Sequence, residues 1–583
     1  MPRAPLDCRS GDGRGRRALL GVLAVALAAR LVNLWLVSRL PLAEYQFDWA
    51  ESDMAANFEW SGRILRGDVL GRDTPHPYTS WMRDIAPLAT WERWWGGKAI
   101  FHQAPLYAYA LAGMRLLAGD GFWGIGLCQA MLGVANVALV FLLAGRLFGG
   151  AVPTVAALGA ALYGPFLLHE AVLLRDVLAV TVSLALLWWL AGCEDARTGR
   201  WIIAGGLFAT ALLARETTLL FGPFVVLWIA ERFWRQPRAL GTAALSFLTG
   251  IALGLAPLVA RNLAVGAPPL SLSTRAIETF IHGNAAGSLG IGVVVPAATR
   301  SILEEADGRL WTAVRLTLAT YHGDWLALFG KEVFKLRAIF SSYEAADNVS
   351  WYYFVDRSPL LRLSLHFGAV LPLGLIGLWL DRRHAARHRI LWYFLVAGVC
   401  GLVCFTIVAR YRLPLVAVLL VYAGVTVDWA ARQIAGGRWR AALAAGVAAI
   451  GIAVASASLL GAVARRQRYR ADEFMLAGQV YYRHGQAERA FEELRAGLDK
   501  AYAGPDQPAL PPGYHELTLT FVRLAHDLRR YRDAAAELER VAATHAADAD
   551  VEELLGLVYR DGLGLAAEAE RHLERARALR APS

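Results

Sequence analysis

The chain has 583 residues, of which 56% are hydrophobic and 19% charged, and its mean hydropathy is +0.39. These values lie to the apolar side of an ordinary soluble domain and indicate a polytopic membrane protein. The net charge of +10 would suit a nucleic-acid partner, but the arginines mostly stand in short connections between apolar segments. Basic residues there orient helices in a membrane, so nucleic acid is excluded as a partner. The five cysteines form no framework, and we expect no disulfide, metal site or cofactor.

The N-terminus carries a basic tail, RSGDGRGRR, followed by an apolar run from about Ala18 to Leu40. This run is longer than the apolar part of a secretory signal and lacks a clear small-residue cleavage site. We therefore interpret it as a retained signal anchor. The tail, residues 1–17, is then cytoplasmic, and residues 45–58 face the other side of the membrane.

Residues 45–58, YQFDWAESDMAANF, set three carboxylates where the first membrane helix should emerge: Asp48, Glu51 and Asp53. Acidic residues after a membrane span are ordinarily a solvated loop. Here they are followed by a long Trp-rich stretch and then by a series of hydrophobic segments. This context favours a catalytic interpretation.

Residues 41–121 mix Trp, charge and Pro with a short amphipathic run that carries Arg115. That pattern suits helices lying along the interface better than a span of about 20 apolar residues. We assign this stretch to a first extracytoplasmic loop. If Pro105 to Ala118 spans the membrane instead, every later helix changes sides.

Later apolar segments, together with the anchor, predict about eleven transmembrane helices. They lie at about 122–146, 151–169, 177–193, 201–214, 217–231, 239–260, 361–380, 390–409, 413–430 and 441–463. Alternating assignment makes the basic connections cytoplasmic, as the positive-inside rule requires. The exception is RRQRYR at 465–470, which this scheme leaves outside together with the C-terminal domain. The expected fold is an all-α, multi-pass protein of the inner (plasma) membrane.

A second large outside loop is predicted at 261–360. Its Gly283-Asn284 pair either lines a sugar pocket or forms a plain turn. Asn348-Val349-Ser350 fits the N-glycosylation pattern, but this three-residue signal is weak and we assign it no role.

Several charged residues stand at membrane depth, where an unpaired charge costs several kcal/mol and usually marks function. They are Arg30, Glu170, Arg175, Asp176, Arg215, Glu216, Arg410 and Arg412. In the predicted topology the LLRD, LARET and RYRLP groups fall at outer helix ends, on the same side as Asp48. One polar site could unite them. Alternatively, Arg175–Asp176 and Arg215–Glu216 only pair locally or extend to the interface.

After Arg470 the chain becomes charged, alanine-rich and helical, with a Pro/Gly linker, AGPDQPALPPG. Two stretches match the small-and-aromatic spacing of tetratricopeptide repeats, one containing Gly478 and Tyr481, the other Gly556 and Tyr559, and a poorer copy lies at 531–541. We expect about three stacked helix pairs at 465–583 that present a concave surface to a partner. A simple α-helical bundle is the alternative.

These residues carry a family resemblance. The matching features include Asp48 followed by Ala56, GDVLG at 67–71, FHQAPLYAYALA at 101–112 and a helix beginning CQAMLGVANVAL, followed by LHEAVLLRD, LLARETTLLFGP, GN at 283–284 and ARYRLPLVAVLL. The chain resembles the family 39 glycosyltransferases of the GT-C superfamily, which include protein O-mannosyltransferases and the aminoarabinose transferases of lipid A. It looks most like bacterial relatives with C-terminal tetratricopeptide repeats. The resemblance covers roughly residues 18–430, and FHQAPLY and RYRLP are its most specific parts.

The resemblance implies a membrane enzyme that transfers a sugar, with inversion, from a polyprenyl-phosphate donor to an extracytoplasmic protein or glycan hydroxyl. The family's essential acid falls on Asp48, which would accept the acceptor's proton. Many relatives have Glu directly after that Asp, whereas this chain has Trp49, so Glu51 or Asp53 could share or replace the missing acid's role.

The remaining site assignments follow from side-chain chemistry. Guanidinium groups bind phosphate oxygens bidentately, so the donor phosphate is assigned to the arginines, with the first two ranked highest: Arg410, Arg215, Arg175 and Arg412. The predicted substrate-binding residues are His102, Glu170 and Asn284, although His102 would equally suit interfacial packing. The resemblance requires no metal.

Two other functional classes remain open. A polytopic transporter also carries charges at broken helices, but its halves often show repeated hydropathy, which this chain lacks. A non-catalytic membrane scaffold would act through its repeat domain and would not need the acidic loop. Sugar transfer separates the enzyme from both. The partners expected are the lipid-linked donor, an acceptor, the bilayer and a possible protein at the repeat domain.

Overall fold

A computed structural model describes residues 13–75, 78–94, 99–292, 295–501, 513–544 and 548–580. Most of the basic N-terminal tail and of the predicted Pro/Gly linker lies outside the described residues. Within them the protein is all-α, and β-structure is limited to two isolated bridges, Tyr163 with Leu365 and Ile291 with Ile407. The chain divides into two compact units. One contains residues 46–348 and 354–461 together with the N-terminal helix, and the other contains residues 39–45, 349–353 and 462–583.

The first part of the chain, from the anchor through the predicted first outside loop, contains several helices. Its helices are α1 (Gly13–Val37), α2 (Leu42–Asp48), α3 (Asp53–Leu65), α4 (Ser80–Ile85), α5 (Leu88–Trp94) and α6 (Leu106–Ala118). At 1.5 Å per residue, α1 is long enough to cross a bilayer core of about 30 Å, whereas the 13-residue α6 is not. The interfacial location of α6 stays a prediction.

The central apolar helices follow. They are α7 (Phe122–Leu147), α8 (Val152–Ala161), α9 (Gly164–His169), α10 (Asp176–Leu190), α11 (Thr198–Ala214), α12 (Gly222–Phe233) after a 3₁₀ turn at Glu216–Phe221, and α13 (Pro237–Val265). Helices α11 and α13 approach closely because Gly205 and Gly250 face each other's backbone. A Cβ on Gly205 would overlap the carbonyl of Phe247, and one on Gly250 would overlap that of Ile202.

Residues 266–363 contain short helices, and long apolar helices return after them. The short ones are α14 (Arg275–Asn284), α15 (Thr299–Ala306), α16 (Leu310–Ala319), α17 (Trp325–Ile339), α18 (Trp351–Arg357) and α19 (Pro359–Leu363). The later ones are α20 (Phe367–Asp381), α21 (Arg389–Cys404), α22 (Leu413–Ala435) after a 3₁₀ turn at Ala409–Arg412, and α23 (Trp439–Ser458). The most apolar window of α22 is 78% buried and that of α23 only 6%. Helix α22 is therefore central to its unit, and α23 is peripheral.

Each of the predicted apolar segments overlaps at least one helix, which confirms an all-α polytopic membrane protein. Among the described residues, five helices are long and apolar enough to cross a membrane: α1, α7, α13, α22 with its preceding turn, and α23. The segment predicted at 151–169 is divided between α8 and α9 at Tyr163. There the chain pairs with Leu365, whose carbonyl accepts from the Gly164 N–H at 2.8 Å. This long-range contact has no signal in local hydropathy.

The C-terminal unit consists of helices that pack in sequence order. They are α24 (Gly461–Arg466), α25 (Ala471–Arg483), α26 (Ala487–Ala501), α27 (Tyr514–Asp527), α28 (Tyr531–Thr544), α29 (Ala549–Leu557) and α30 (Ala566–Arg580), with a π-helical turn at Val558–Leu563. Helices α25 and α26 pack against each other, and so do α29 and α30. Gly478 lets Leu494 pack against α25, and the Phe491 ring contacts Phe521 at 5.0 Å between centroids.

Candidate active site

Asp53 is the first residue of α3 and is only 4% exposed. Its Oδ1 accepts hydrogen bonds from Gln103 Nε2 at 2.6 Å and from Arg275 at 2.9 Å. Its Oδ2 accepts from Arg410 at 2.7 Å and from Asn348 Nδ2 at 3.1 Å. The Asp53 backbone N–H donates to Asn348 Oδ1 at 2.8 Å, so Asn348 fixes both the main chain and the side chain of this residue.

Arg410 extends this arrangement to two more carboxylates. Its Nε donates to Asp347 at 2.6 Å, and a terminal nitrogen lies 3.4 Å from Asp176. Asp176 in turn accepts from Arg215 at 3.1 Å. The resulting Asp53 network contains three carboxylates and three guanidinium groups: Asp53, Asp176, Asp347, Arg215, Arg275 and Arg410. Its formal charge is balanced, which is what makes burial of so many ions tolerable.

The electrostatics of Asp53 favour a permanently ionised carboxylate. Burial on its own would raise its pKa, because desolvation disfavours the charged form. The charges of Arg275 and Arg410 outweigh burial and hold the pKa of Asp53 well below its ordinary value. The same interaction with Asp53 outweighs burial at Arg275 and raises its pKa. An acid with so low a pKa is a poor proton acceptor, but it keeps its charge at every physiological pH.

A second ion pair also reaches the FHQAPLY segment. Arg175 binds Glu216 at 3.0 Å, and Glu216 also accepts from the Ala104 N–H at 2.8 Å and from Ser273 Oγ at 2.7 Å. The Nε of Arg175 is buried and has no hydrogen-bond partner among the described residues. This guanidinium therefore keeps an unused donor.

Arg412, predicted to bind the donor phosphate, has a different environment. It donates to the backbone carbonyls of Ile339, Ser341 and Tyr343 and to Glu344, with the last contact at 2.7 Å. These bonds tie the end of α17 to the start of α22. The contacts are those of a residue that braces a loop.

The other two predicted catalytic acids lie outside these contacts. Asp48 is exposed at the end of α2, where it lines a cleft of about 360 Å³ with Phe47, Phe58 and other residues. Glu51 pairs with the half-exposed Arg83 at 2.7 Å. Of the three acids, Asp53 is therefore the one held by the buried Arg410 and the mostly buried Arg275.

The predicted substrate-binding residues are dispersed. His102 Nδ1 lies 3.3 Å from Thr274 Oγ1, next to Arg275 in the chain. Glu170 pairs with Arg30 at 2.8 Å, in a space that Gly133 provides by lacking a side chain.

Asn284, at the end of α14, has both side-chain groups engaged. It donates to the carbonyls of Phe280 and Cys404, and its Oδ1 accepts from the fully buried Lys335 at 2.8 Å. The amide therefore joins α14 to α17 and α21. Its substrate-binding role stays a prediction.

Sequence reasoning missed four residues of this arrangement. Gln103 stands beside the selected His102, and Asp347 and Asn348 belong to the loop that also carries the glycosylation pattern. Arg275 has no local signal, because it is one of many arginines outside the apolar segments. The amide of Asn348 is buried and hydrogen-bonded to Asp53, which assigns it a structural position instead of a surface acceptor role.

Comparison with known proteins gives one family match. Residues 102–258 match the family model described as dolichyl-phosphate-mannose-protein mannosyltransferase. The matched region is less than half of the chain and includes Gln103, Asp176 and Arg215. No curated protein sequence matches the chain.

Solved structures show distant similarity. The Archaeoglobus fulgidus oligosaccharyltransferase in the apo form aligns at 15% identity with a TM-score of 0.45, covering 85% of this chain and 61% of that one. The archaeal enzyme AglB in complex with an inhibitory peptide and a dolichol-phosphate aligns at 14% identity with a TM-score of 0.42, with the same coverage. ArnT from Cupriavidus metallidurans bound to undecaprenyl phosphate aligns at 14% identity with a TM-score of 0.40, covering 98% and 90%. TM-scores this low do not establish a shared fold, and the chain spans only 61% of the archaeal enzyme's length.

Proposed function

We propose that this chain is a membrane glycosyltransferase of the GT-C type. It transfers a sugar, with inversion, from a polyprenyl-phosphate donor to a protein or glycan hydroxyl outside the cytoplasm. The observation that carries the proposal is the buried Asp53 carboxylate, which two arginines from distant parts of the chain keep ionised. The mannosyltransferase match at residues 102–258 supports the reaction class.

The proposed reaction forms one bond and breaks one bond at the anomeric carbon. The acceptor oxygen attacks from the face opposite the lipid phosphate, the bond from carbon to phosphate oxygen breaks, and the lipid phosphate leaves with the electron pair. The proton of the acceptor hydroxyl is released to solvent. Asp53 orients the acceptor hydroxyl and stabilises the positive charge that develops on the sugar. Arg410 does not need to touch the substrate, because its donors hold the three carboxylates in position.

We assign the departing phosphate to Arg175 and Arg215. Each makes one ion pair with a carboxylate, Arg175 with Glu216 and Arg215 with Asp176. The buried Nε of Arg175 has no partner among the described residues, and guanidinium binds phosphate oxygens with directed N–H groups. Arg412 is then assigned to bracing the adjacent loop and not to binding phosphate.

The location of the active centre follows from the predicted topology. We place it on the extracytoplasmic face. We place the C-terminal helical unit on the same side of the membrane, where it would serve as a tetratricopeptide-like module that recruits an acceptor or a protein partner. A reporter fused after Ser583 tests the side. Acceptor choice that is unchanged by deletion of residues 471–583 would count against the recruiting role.

A donor panel tests the reaction. Membranes containing the wild type or Asp53→Asn are incubated with radiolabelled polyprenyl-phosphate sugars and mixed acceptors. We expect the wild type to transfer one sugar with inverted anomeric configuration, and Asp53→Asn to lose at least about 100-fold in rate while still inserting. If the wild-type protein transfers no sugar but moves a substrate across vesicle membranes, the chain is a transporter and the proposed enzyme function is wrong.

A further inference from the structure

Glu278 lies one helical turn after Arg275 on α14, so the two side chains share a face of this helix. Glu278 is 5% exposed, and its Oε2 is buried without a hydrogen-bond partner in the described part of the chain. The Nε of Arg275 is also buried and without such a partner. One helix face therefore carries an unused acceptor and an unused donor beside Asp53.

Two buried unpaired polar atoms of opposite type need explanation, because each such group costs about 1–3 kcal/mol when left unsatisfied. A hydroxyl group satisfies both at once. It accepts a hydrogen bond from the Arg275 Nε–H and donates its own proton to the Glu278 carboxylate. A phosphate or carboxylate could accept from Arg275 but has no proton to donate to an ionised Glu278.

We propose that the Arg275–Glu278 face of α14 binds the acceptor hydroxyl and that Glu278 accepts its proton during transfer. This inference rests on the proposed glycosyl transfer. As the acceptor oxygen bonds to the anomeric carbon, its proton passes to Glu278 Oε2 and later to solvent, while the lipid phosphate leaves with its electron pair. Asp53 supplies fixed negative charge next to this step and takes no proton.

The local charges suit that division of roles. Burial and the charge of Asp53 raise the pKa of Glu278 to about 7, although Arg275 lowers it. A base is most effective when its pKa lies near the working pH. His282, one turn further along the same face, stays neutral because burial and the charge of Arg275 lower its pKa to about 3.

The helices packed around α14 carry several charged or titratable groups. On α17, Lys335 donates to Asn284 and pairs with Glu332, and Lys331 donates to the Ala285 carbonyl. Helices α16 and α21 contribute Arg315, which is exposed, and Arg389, which pairs with Glu231 at 2.7 Å, together with Tyr393, Cys400 and Cys404. Helices α4, α5 and α15 contact the apolar face of α14 and carry Arg83, Glu92, Arg93, Arg300, Glu304 and Glu305. Among the charged groups, Arg275 lowers the pKa of Glu278 and Asp53 raises it.

The test is the pH dependence of transfer by the full-length protein reconstituted with the donor that the panel identifies. We expect the wild-type rate to fall below about pH 7 as Glu278 becomes protonated. Glu278→Gln should lower kcat by about 100-fold or more and remove that acid limb, with little change in the donor KM. Glu278→Asp should restore part of the rate. Glu344→Gln, which changes another buried acid, should keep the acid limb.

The outcomes separate this inference from the proposed function. If the wild-type protein transfers no sugar, the proposed function is wrong. If the wild type is active and Asp53→Asn is inactive, the proposed function is supported. If Glu278→Gln then keeps both the wild-type kcat and the acid limb, Glu278 is a structural residue and the inference fails alone.

Discussion

The Asp53 network and the segment at residues 339–344 are each held by a buried arginine, and the two arginines stand two residues apart. Arg410 and Arg412 are both 3% exposed. Arg410 binds three carboxylates, which belong to three separate parts of the chain. Arg412 binds three backbone carbonyls and one carboxylate within a single short segment.

The two arginines differ in whether the groups they hold can act on a substrate. Backbone carbonyls cannot change charge or move independently, so the donors of Arg412 are committed to holding a loop. The carboxylates around Arg410 are themselves reactive groups, and their orientation is what a transfer reaction requires. The RYRLP motif alone cannot distinguish these roles, because both arginines occupy the same turn.

The largest contrast is expected from lysine replacements at the two positions. Arg410→Lys keeps the charge, but one ammonium cannot contact three carboxylates in the geometry of a guanidinium. We expect kcat/KM to fall by about 100-fold. Arg412→Lys should keep activity per folded molecule but lower stability by about 1–3 kcal/mol, because backbone carbonyls lose their donors. Transfer rate and thermal unfolding in detergent are measured on both variants. Lost activity in Arg412→Lys together with retained activity in Arg410→Lys would contradict these roles.

Asn348→Asp replaces the amide that donates to Asp53 Oδ2 with a second carboxylate. Like charges at this distance disfavour ionisation, so the pKa of Asp53 should rise. We expect a loss of activity of about tenfold, since one hydrogen bond of roughly 1.4 kcal/mol is removed from a positioned group. Initial transfer rates at pH 7 measure it, and wild-type rates would show that Asp53 does not depend on this amide.

Glu278 gives a test that needs no substrate. Its pKa of about 7 lies above its ordinary value, so the folded protein binds more protons than the unfolded protein between about pH 4.5 and 7. Stability therefore falls as pH rises through this window, by on the order of 3 kcal/mol at 1.36 kcal/mol per pKa unit. Glu278→Gln should remove that loss. Unfolding at pH 5 and pH 8 measures it, and parallel pH curves for the two proteins would contradict the assignment.

The smallest effect is expected at Glu51, which pairs with Arg83 near the surface. Such pairs contribute about 0–1 kcal/mol, so Glu51→Gln should change stability by less than about 1 kcal/mol. Its transfer rate should stay close to that of the wild type. A loss as large as that expected for Asp53→Asn would return Glu51 to the list of catalytic acids.

Hydropathy was sufficient to predict the all-α membrane architecture, because apolar runs of the right length leave few alternatives. It did not predict the break at Tyr163. That break coincides with a contact to Leu365, which lies far along the chain and outside any local window.

The charged residues of the site were partly predictable. Asp176, Arg215 and Arg410 were recognisable because charge at membrane depth is costly. Their pairing was not, since Arg410 meets Asp53 across 357 positions of sequence. Only one local sequence feature distinguished Asp53 from Asp48 and Glu51. Ser52 caps α3 by accepting from the Ala55 N–H at 3.1 Å, and an N-cap serine followed by an acid indicates that Asp53 begins a helix.

The central claim is that Asp53 and not Asp48 is the carboxylate on which transfer depends. The most direct measurement compares Asp53→Asn with Asp48→Asn in the same membranes, with protein amounts equalised and the identified polyprenyl-phosphate sugar as donor. We predict that Asp53→Asn loses at least about 100-fold in rate and that Asp48→Asn stays near the wild type. Loss of transfer in Asp48→Asn, with activity retained in Asp53→Asn, would contradict the account.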